Sequence, residues 1–382
     1  MPQSFAFHYG PRLVSGPGTS ADIAALLPPG PVLFVTDAQI MALGLARDAI
    51  AALEAGGRAV TIADAVEADP SRATLEAVIA LGREAGAASV VGFGGGSPMD
   101  VAKLAAYLLG ADDDLDAIWG VGNAEGTGLP LVLVPTTAGT GSEATPVAII
   151  TLPGDEKRGV SSPALIAGHA VLDPLLTLGL PRAVTAATGM DAMVHAIEAY
   201  TSIHLKNPLS DLFAREAMRL LSANLLTACT DPGNAGAREA MLLGAHLAGV
   251  AFSNAPVAGV HALAYPLGGR FHVPHGLSNV LMLPHVLRFN MRAAMPLYAE
   301  LGALIDPALA GLGQQAQAQG LLETLQSMAE DAGMPSRLSA VGVEAGHLDQ
   351  LASDAMLQQR LLRNNPREIT LADARRLYED AL

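Results

Sequence analysis

Along the first 180 residues, short apolar runs alternate with amphipathic stretches. VLFVTD (32–37), AVTIAD (59–64), ASVVGFGGG (88–96) and LPLVLVPTT (129–137) are each dense in β-branched or apolar residues. Between the second and third of these runs, SRATLEAVIALGREAGA (71–87) repeats its apolar positions at helical spacing. Strands separated by helix-length segments predict parallel β-α-β units, because a parallel neighbour is reached only through a crossover. The runs are nearly continuous in apolar residues, the pattern of strands covered on both faces. An open α/β domain over 1–180 is predicted.

Beyond Pro181 the strand signal fades and helical periodicity takes over, as in DLFAREAMRLLSANLLTA (211–228) and GLLETLQSMAEDAGM (320–334). Breaks are predicted at Asp231-Pro232-Gly233, Pro256, Pro266, Pro274 and Pro284, where proline removes a backbone donor. The region 181–382 is therefore predicted to be all-helical. The acidic ADDDLD (111–116) reads as a solvated loop or a helix start. A cleft between two such domains is a favoured place for a ligand.

Composition narrows the function classes. At 382 residues the chain exceeds one ordinary core and suits two domains. It is 51% hydrophobic and 15% charged, so it is a globular chain rather than a disordered one. No apolar run reaches the roughly 20 residues of a membrane-spanning helix. The start, MPQSFAFHYGPRL, lacks a basic region followed by an apolar stretch, so a cytoplasmic location is expected. A net charge of -15 argues against a nucleic-acid partner, which needs clustered Lys and Arg. Cys229 stands alone, excluding an intramolecular disulfide and thiolate zinc sites. Any metal must then be held by carboxylates and the 10 histidines.

Three segments carry candidate chemistry. Gly94-Gly95-Gly96-Ser97 follows one strand directly and precedes a helical run, so the backbone can approach a phosphate at a helix N-terminus. Asp37, ending the first strong strand, is placed to bond the ribose hydroxyls of NAD and to repel the extra phosphate of NADP. It is equally suited to capping a helix. Pro135-Thr136-Thr137-Ala138-Gly139-Thr140-Gly141-Ser142-Glu143 offers many hydrogen-bonding groups after another strand. In the second half, Asp191 and His195 are four apart in TGMDAMVHAIEAY (188–200), hence on one helix face. His261, His272 and His275 follow in an apolar, Gly- and Pro-rich setting. Three His plus a carboxylate make a shell for Fe(II) or Zn(II), although spacing leaves open which His ligate.

Taken in order, GGGSPMDVAK (94–103), PTTAGTGSE (135–143), GMDAMVHAIEAY (189–200) and VHALAYPLGGRFHVPHGLSN (260–279) resemble the iron-containing (group III) alcohol dehydrogenases. The resemblance runs over essentially the whole chain. It implies a dehydroquinate synthase-like fold, with an α/β N-terminal nucleotide-binding domain plus an all-α C-terminal domain. It implies a metal, Fe(II) or another divalent ion such as Zn(II), on Asp191, His195, His261 and His275, leaving His272 outside the ligand set. It implies NAD on Asp37, Gly95, Gly96, Ser97, Asp100, Thr136, Thr137, Thr140 and Lys157. The expected reaction is hydride transfer between a small alcohol and its aldehyde or ketone, in a homodimer or higher homo-oligomer. Many family members carry His at the position of Tyr265, and a Tyr there is similar to the hydroxyacid–oxoacid transhydrogenase branch. A hydroxy-acid dehydrogenase, acting on a 4-hydroxybutyrate-like substrate, is the related alternative. His272 and Tyr265 are the expected proton path, and Arg270 is placed to pair a substrate carboxylate. A lyase of the dehydroquinate synthase type would need a basic cluster near the His, which the sequence lacks.

Overall fold

The structure, a computed structural model, describes residues 4–111, 113–154 and 156–382. Two compact units emerge, Tyr9–Leu178 and Gly179–Leu382, the second joined by the N-terminal segment up to His8.

The first unit is built on a six-stranded sheet. Its strands are β1 (Arg12–Ser15), β2 (Val32–Val35), β3 (Val60–Ala63), β4 (Ser89–Gly94), β6 (Leu131–Pro135) and β9 (His169–Leu172), ordered β1-β9-β6-β4-β2-β3. Every pairing is parallel. β2, β4 and β6 are buried along their whole length, as their continuous apolar sequences predict. Helices α1 (Ala38–Ala42), α2 (Arg47–Ala55), α3 (Arg72–Glu84) and α4 (Gly96–Gly110) make the connections, α4 being buried through most of its length. A second sheet of β5 (Gly120–Val121), β8 (Glu156–Ser161) and β7 (Val147–Leu152) was not expected from the sequence. Strand β7 buries alternate residues, Ala148, Ile150 and Leu152, but its sequence VAIITL hides that alternation because nearly every position is apolar. Part of the acidic stretch at 111–116 falls outside the described residues. Within it, Asp114 caps a short 3-10 turn at Leu115–Ala117.

The second unit is helical: α5 (Arg182–Thr201), α6 (Pro208–Thr230), α7 (Ala235–Asn254), α8 (Gly259–Phe271), α9 (His275–Ile305), α10 (Gln314–Asp331), α11 (Leu348–Ala355), α12 (Gln359–Leu362) and α13 (Leu371–Ala381). Helix α5 is the core element, packed by α6, α7 and α9. The predicted breaks at Asp231-Pro232-Gly233, Pro256 and Pro274 separate helices, but those at Pro266 and Pro284 do not. Pro266 lies inside α8, and Pro284 and Pro296 lie inside α9. Each costs one i→i−4 hydrogen bond; burial of the apolar face of each helix outweighs that loss. The segment ending at His8, assigned by sequence to the α/β half, instead packs with helices. The His8 amide donates to Asn254 Oδ1 at 2.8 Å, Asn254 Nδ2 donates to the His8 carbonyl at 2.8 Å, and Phe7 stacks on Phe213.

Among the described residues no single helix is long and apolar enough to cross a membrane.

Candidate functional site

Four side chains converge inside the helical unit. Asp191 and His195 project from one face of α5, His261 from α8, and His275 opens α9. One ligand atom from each lies within 4.8 Å of all the others. Asp191, His195 and His261 are buried, while His275 stands at the open side. His195 stacks between Phe252 (4.5 Å between ring centroids) and His261 (4.7 Å), which fixes its plane. Gly276 lets α9 start against α5: a Cβ there would meet the Ala187 carbonyl oxygen at 2.4 Å. Without that close approach His275 would stand away from Asp191.

The electrostatics suit a cation. Burial opposes ionisation of Asp191, yet the facing His195, His275 and His261 rings and the Asn279 amide hold its carboxyl below the ordinary value. Glu198, one turn beyond His195, accepts from the amides of Ala258 (3.0 Å) and Val260 (2.6 Å) and meets His261 Nδ1 at 2.6 Å. A carboxylate on Nδ1 keeps the proton there and leaves the Nε2 lone pair for a metal. A buried set of three imidazoles and a carboxylate fits a divalent transition ion such as Fe(II) or Zn(II).

Of the other predicted residues here, Tyr265 lies one turn after His261, its ring centroid 5.9 Å from that of His275 and 6.4 Å from that of His261. His272 is exposed in the turn between α8 and α9, with a left-handed φ of 53°. Arg270 pairs with Asp354 on the surface. That carboxylate occupies the guanidinium expected to bind a substrate acid.

In the α/β unit, α4 begins at the glycine turn. Its N-cap, Gly95, supplies no side-chain hydrogen bond, so the first-turn amides are open to an anion. A Cβ on Gly96 would come within 3.0 Å of Thr140 Cγ2, and one on Gly95 within 3.7 Å of Thr137 Oγ1. Asp37, Gln39, Glu67, Gly95, Gly96 and Ser97 line a cavity of about 370 Å³. Asp37 also caps α1, its Oδ1 accepting from the Ile40 amide at 2.9 Å. The Thr136 amide donates to the Gly94 carbonyl at 2.9 Å, tying the threonine-rich loop to the end of β4. Such a cradle fits the pyrophosphate and ribose of a dinucleotide.

Asp100, which the resemblance assigns to the cofactor, and Lys103, which it does not, both bond to the threonine-rich loop. Asp100 accepts from Ser142 Oγ (2.6 Å) and from the Ile149 amide (2.9 Å). Buried Lys103, whose ammonium is pushed down by burial against the pull of Asp100 and Glu143, donates to Ser142 Oγ, Thr145 Oγ1 and the Val147 carbonyl. Together they brace the threonine-rich loop against α4. Lys157 forms an ion pair with Asp69, next in sequence to the cavity residues Glu67 and Ala68.

Comparison with known proteins decides the family. Residues 10–174 match the iron-containing alcohol dehydrogenase domain, and residues 185–382 match the C-terminal domain of the Fe-containing alcohol dehydrogenase family. The chain belongs to the iron-containing alcohol dehydrogenase family. It is 38% identical to long-chain-alcohol dehydrogenase 1 of Geobacillus thermodenitrificans, over 92% of this chain and 89% of that one. A crystal structure of 1,3-propanediol oxidoreductase superposes with a TM-score of 0.96 at 32% identity, covering 100% of both chains. Sulfoacetaldehyde reductase from Bifidobacterium kashiwanohense, solved in complex with NAD+, superposes with a TM-score of 0.88 at 28% identity over 99% of each chain.

Two further residues, Glu198 and Asn279, meet the side chains of this cluster without having been singled out in the sequence. Glu198 falls at i+7 from Asp191 and i+3 from His195, on the same face of α5, a spacing that was available to find it. Asn279, one turn after His275, reaches three of the four, Asp191, His261 and His275.

Proposed function

We propose that this chain is a metal-dependent, NAD-linked alcohol dehydrogenase that interconverts an alcohol and its aldehyde or ketone by hydride transfer. The observation that carries the reading is the convergence of Asp191, His195, His261 and His275 on one buried point, with Glu198 fixing the tautomer of His261. We assign these four as ligands of Fe(II), although Zn(II) and other divalent ions suit the same donors. A divalent ion held by these four residues would supply Lewis-acid polarisation of the alcohol or carbonyl oxygen, and a bound nicotinamide would supply the hydride acceptor or donor. Asp191, ionised because three imidazoles face it, supplies the one negative charge among the ligands. Tyr265, its ring near that of His275, hands the alcohol proton onward, and His272, exposed three residues before His275, gives it to solvent.

In the α/β unit, the Gly95, Gly96 and Ser97 amides at the start of α4 receive the pyrophosphate. Thr136, Thr137 and Thr140 line the cradle, Lys157 borders it, and Asp100 holds the loop in place. Asp37 reads the adenosine ribose and disfavours a 2′-phosphate. Asp37→Ala is expected to improve kcat/KM with NADP relative to NAD by at least about tenfold. It should also cost about 1 kcal/mol through the lost α1 cap. Steady-state kinetics with both cofactors, alongside a melting curve, check the two effects.

The relatives are named for long-chain alcohols and 1,3-propanediol, so we place the substrate among unbranched primary alcohols and diols. The hydroxy-acid alternatives lose support because Arg270 is already paired with Asp354. The test is a panel of alcohols, diols and hydroxy acids, read by NADH absorbance on protein loaded anaerobically with each divalent ion. NADH formation from alcohols is expected; its absence with every alcohol and ion would overturn the proposal. We place the enzyme in the cytoplasm, where a nicotinamide pool can recycle the cofactor. We also propose a homodimer or higher homo-oligomer, supported by β1, an edge strand near which Tyr9 and Leu13 stay exposed. Light scattering coupled to size-exclusion chromatography should return at least twice the 39.0 kDa chain mass; a monomer would refute that part.

A further inference from the structure

We propose that the helical unit holds a binding site apart from the metal cluster, a cavity that takes an apolar α-amino acid in its zwitterionic form, such as leucine or methionine. The site shares no residue with the metal cluster and does not depend on the metal assignment.

The cavity measures about 240 Å³. That is below the roughly 300–1,000 Å³ of sites for drug-sized ligands, so its occupant is small. The inner wall is apolar, made by Met190 of α5, Leu283 of α9, and Leu322 and Leu325 of α10, all buried. Met190 directly precedes Asp191, but consecutive helical residues point about 100° apart, so cavity and cluster lie on different faces of α5. Glu330, Arg337 and Asp380, all exposed, stand at the mouth. Among the described residues, none of these three charged side chains forms an ion pair or a hydrogen bond.

Uncommitted charges of both signs around one apolar cavity select a ligand that carries both signs and an apolar body. A fatty acid would meet Arg337 but face Glu330 and Asp380, and an alkylamine would do the reverse. An α-amino acid sets its carboxylate on Arg337 and its ammonium toward the two acids, with its side chain on the apolar wall. The backbone adds an acceptor at the same place. Pro284 has no amide to give the Val280 carbonyl, four residues earlier in α9, and both residues line the cavity. That carbonyl stands outside the helical ladder and can accept from an ammonium. His285, also at the wall, leaves the charge balance unchanged, because burial and then Arg288 push its imidazolium down to about 4.

The test is a calorimetric titration of the holoenzyme with L-leucine and L-methionine. Saturable binding of one equivalent is expected. Glycine, 4-methylpentanoate and 3-methylbutylamine each keep only part of leucine and should bind at least about tenfold more weakly. Arg337→Gln, and the double variant Glu330→Gln with Asp380→Asn, change exposed side chains, so both should melt like the wild type. Each should weaken leucine binding at least about tenfold. Because α-amino acids also chelate divalent ions, the wild-type titration is repeated after the metal is removed by chelation, and binding should persist. Binding that disappears with the metal would place the amino acid on the ion and refute the site. No saturable binding, wild-type affinity in either variant, or a fragment that binds as tightly as leucine would also overturn the inference.

Discussion

Asp191→Asn and His195→Ala should each yield a protein that no longer retains a divalent ion and that oxidises alcohols at least about a thousand times less efficiently. The magnitude follows from the Lewis-acid contribution of a bound metal, several kcal/mol, of which roughly 4 kcal/mol corresponds to a thousand-fold in kcat/KM. Asp191→Asn keeps the side-chain volume in a site that is 2% exposed, so the effect isolates the lost charge. His195→Ala also removes the ring stacked between Phe252 and His261 and should melt earlier. Metal analysis of the purified proteins, with steady-state kinetics on added ion, checks the pair. Either variant keeping full metal content and full activity would remove that residue from the ligand set.

Glu198 should divide stability from metal binding, depending on what replaces it. Its two oxygens serve the amides of Ala258 and Val260 and the Nδ1 of His261, all buried. Glu198→Ala strands these donors, each at about 1–3 kcal/mol, so a loss of roughly 3–5 kcal/mol and a clear fall in melting temperature are expected. Glu198→Gln keeps an acceptor for the Val260 amide but, with its nitrogen in the place of Oε2, turns N–H groups toward the Ala258 amide and His261 Nδ1. The imidazole must then accept at Nδ1 and carry its proton on Nε2, where the metal needs a lone pair. The glutamine protein should therefore lose about 1–3 kcal/mol, less than the alanine protein, and still bind metal roughly 10- to 100-fold more weakly. Thermal denaturation and metal titration, run on both variants, test this. A glutamine protein with wild-type metal affinity would show that the tautomer of His261 is not set by Glu198.

Much of the site was readable in the chain because its residues obey local periodicities. Asp191 and His195 are one helical turn apart, and His275 begins a helix directly after Pro274. The glycine turn lies between a strand and a helix, where a phosphate cradle belongs. Glu198 and Asn279 obey the same spacing, yet a carboxylate or amide one turn from a ligand reads in sequence as an ordinary helix-surface group. Only burial distinguishes it. For Asp100, which the resemblance assigns to the cofactor, the bonds of its two oxygens to Ser142 and Ile149 were not legible in any spacing.

The fold divides similarly. Strands β2, β3, β4 and β6 announced themselves as apolar runs, and the helices around 211–228 and 320–334 by their period. Strands β1 and β9 are four residues each like β2 and β3, but RLVS and HAVL open on a charged or polar residue and leave no continuous apolar run. Pro266 and Pro284 carry the local signal for a helix end, and the helices continue because the burial they bring exceeds one missing hydrogen bond.

By itself, then, the sequence determined the parallel α/β half, the helical half, and the residue types able to hold a dinucleotide and a divalent ion, since those depend on local period and side-chain chemistry. Tertiary structure alone decided which polar groups meet. His275 reaches Asp191 because Gly276 lets α9 abut α5, His261 arrives on α8 with its Nδ1 against Glu198, and burial withholds the water that would otherwise partner these groups.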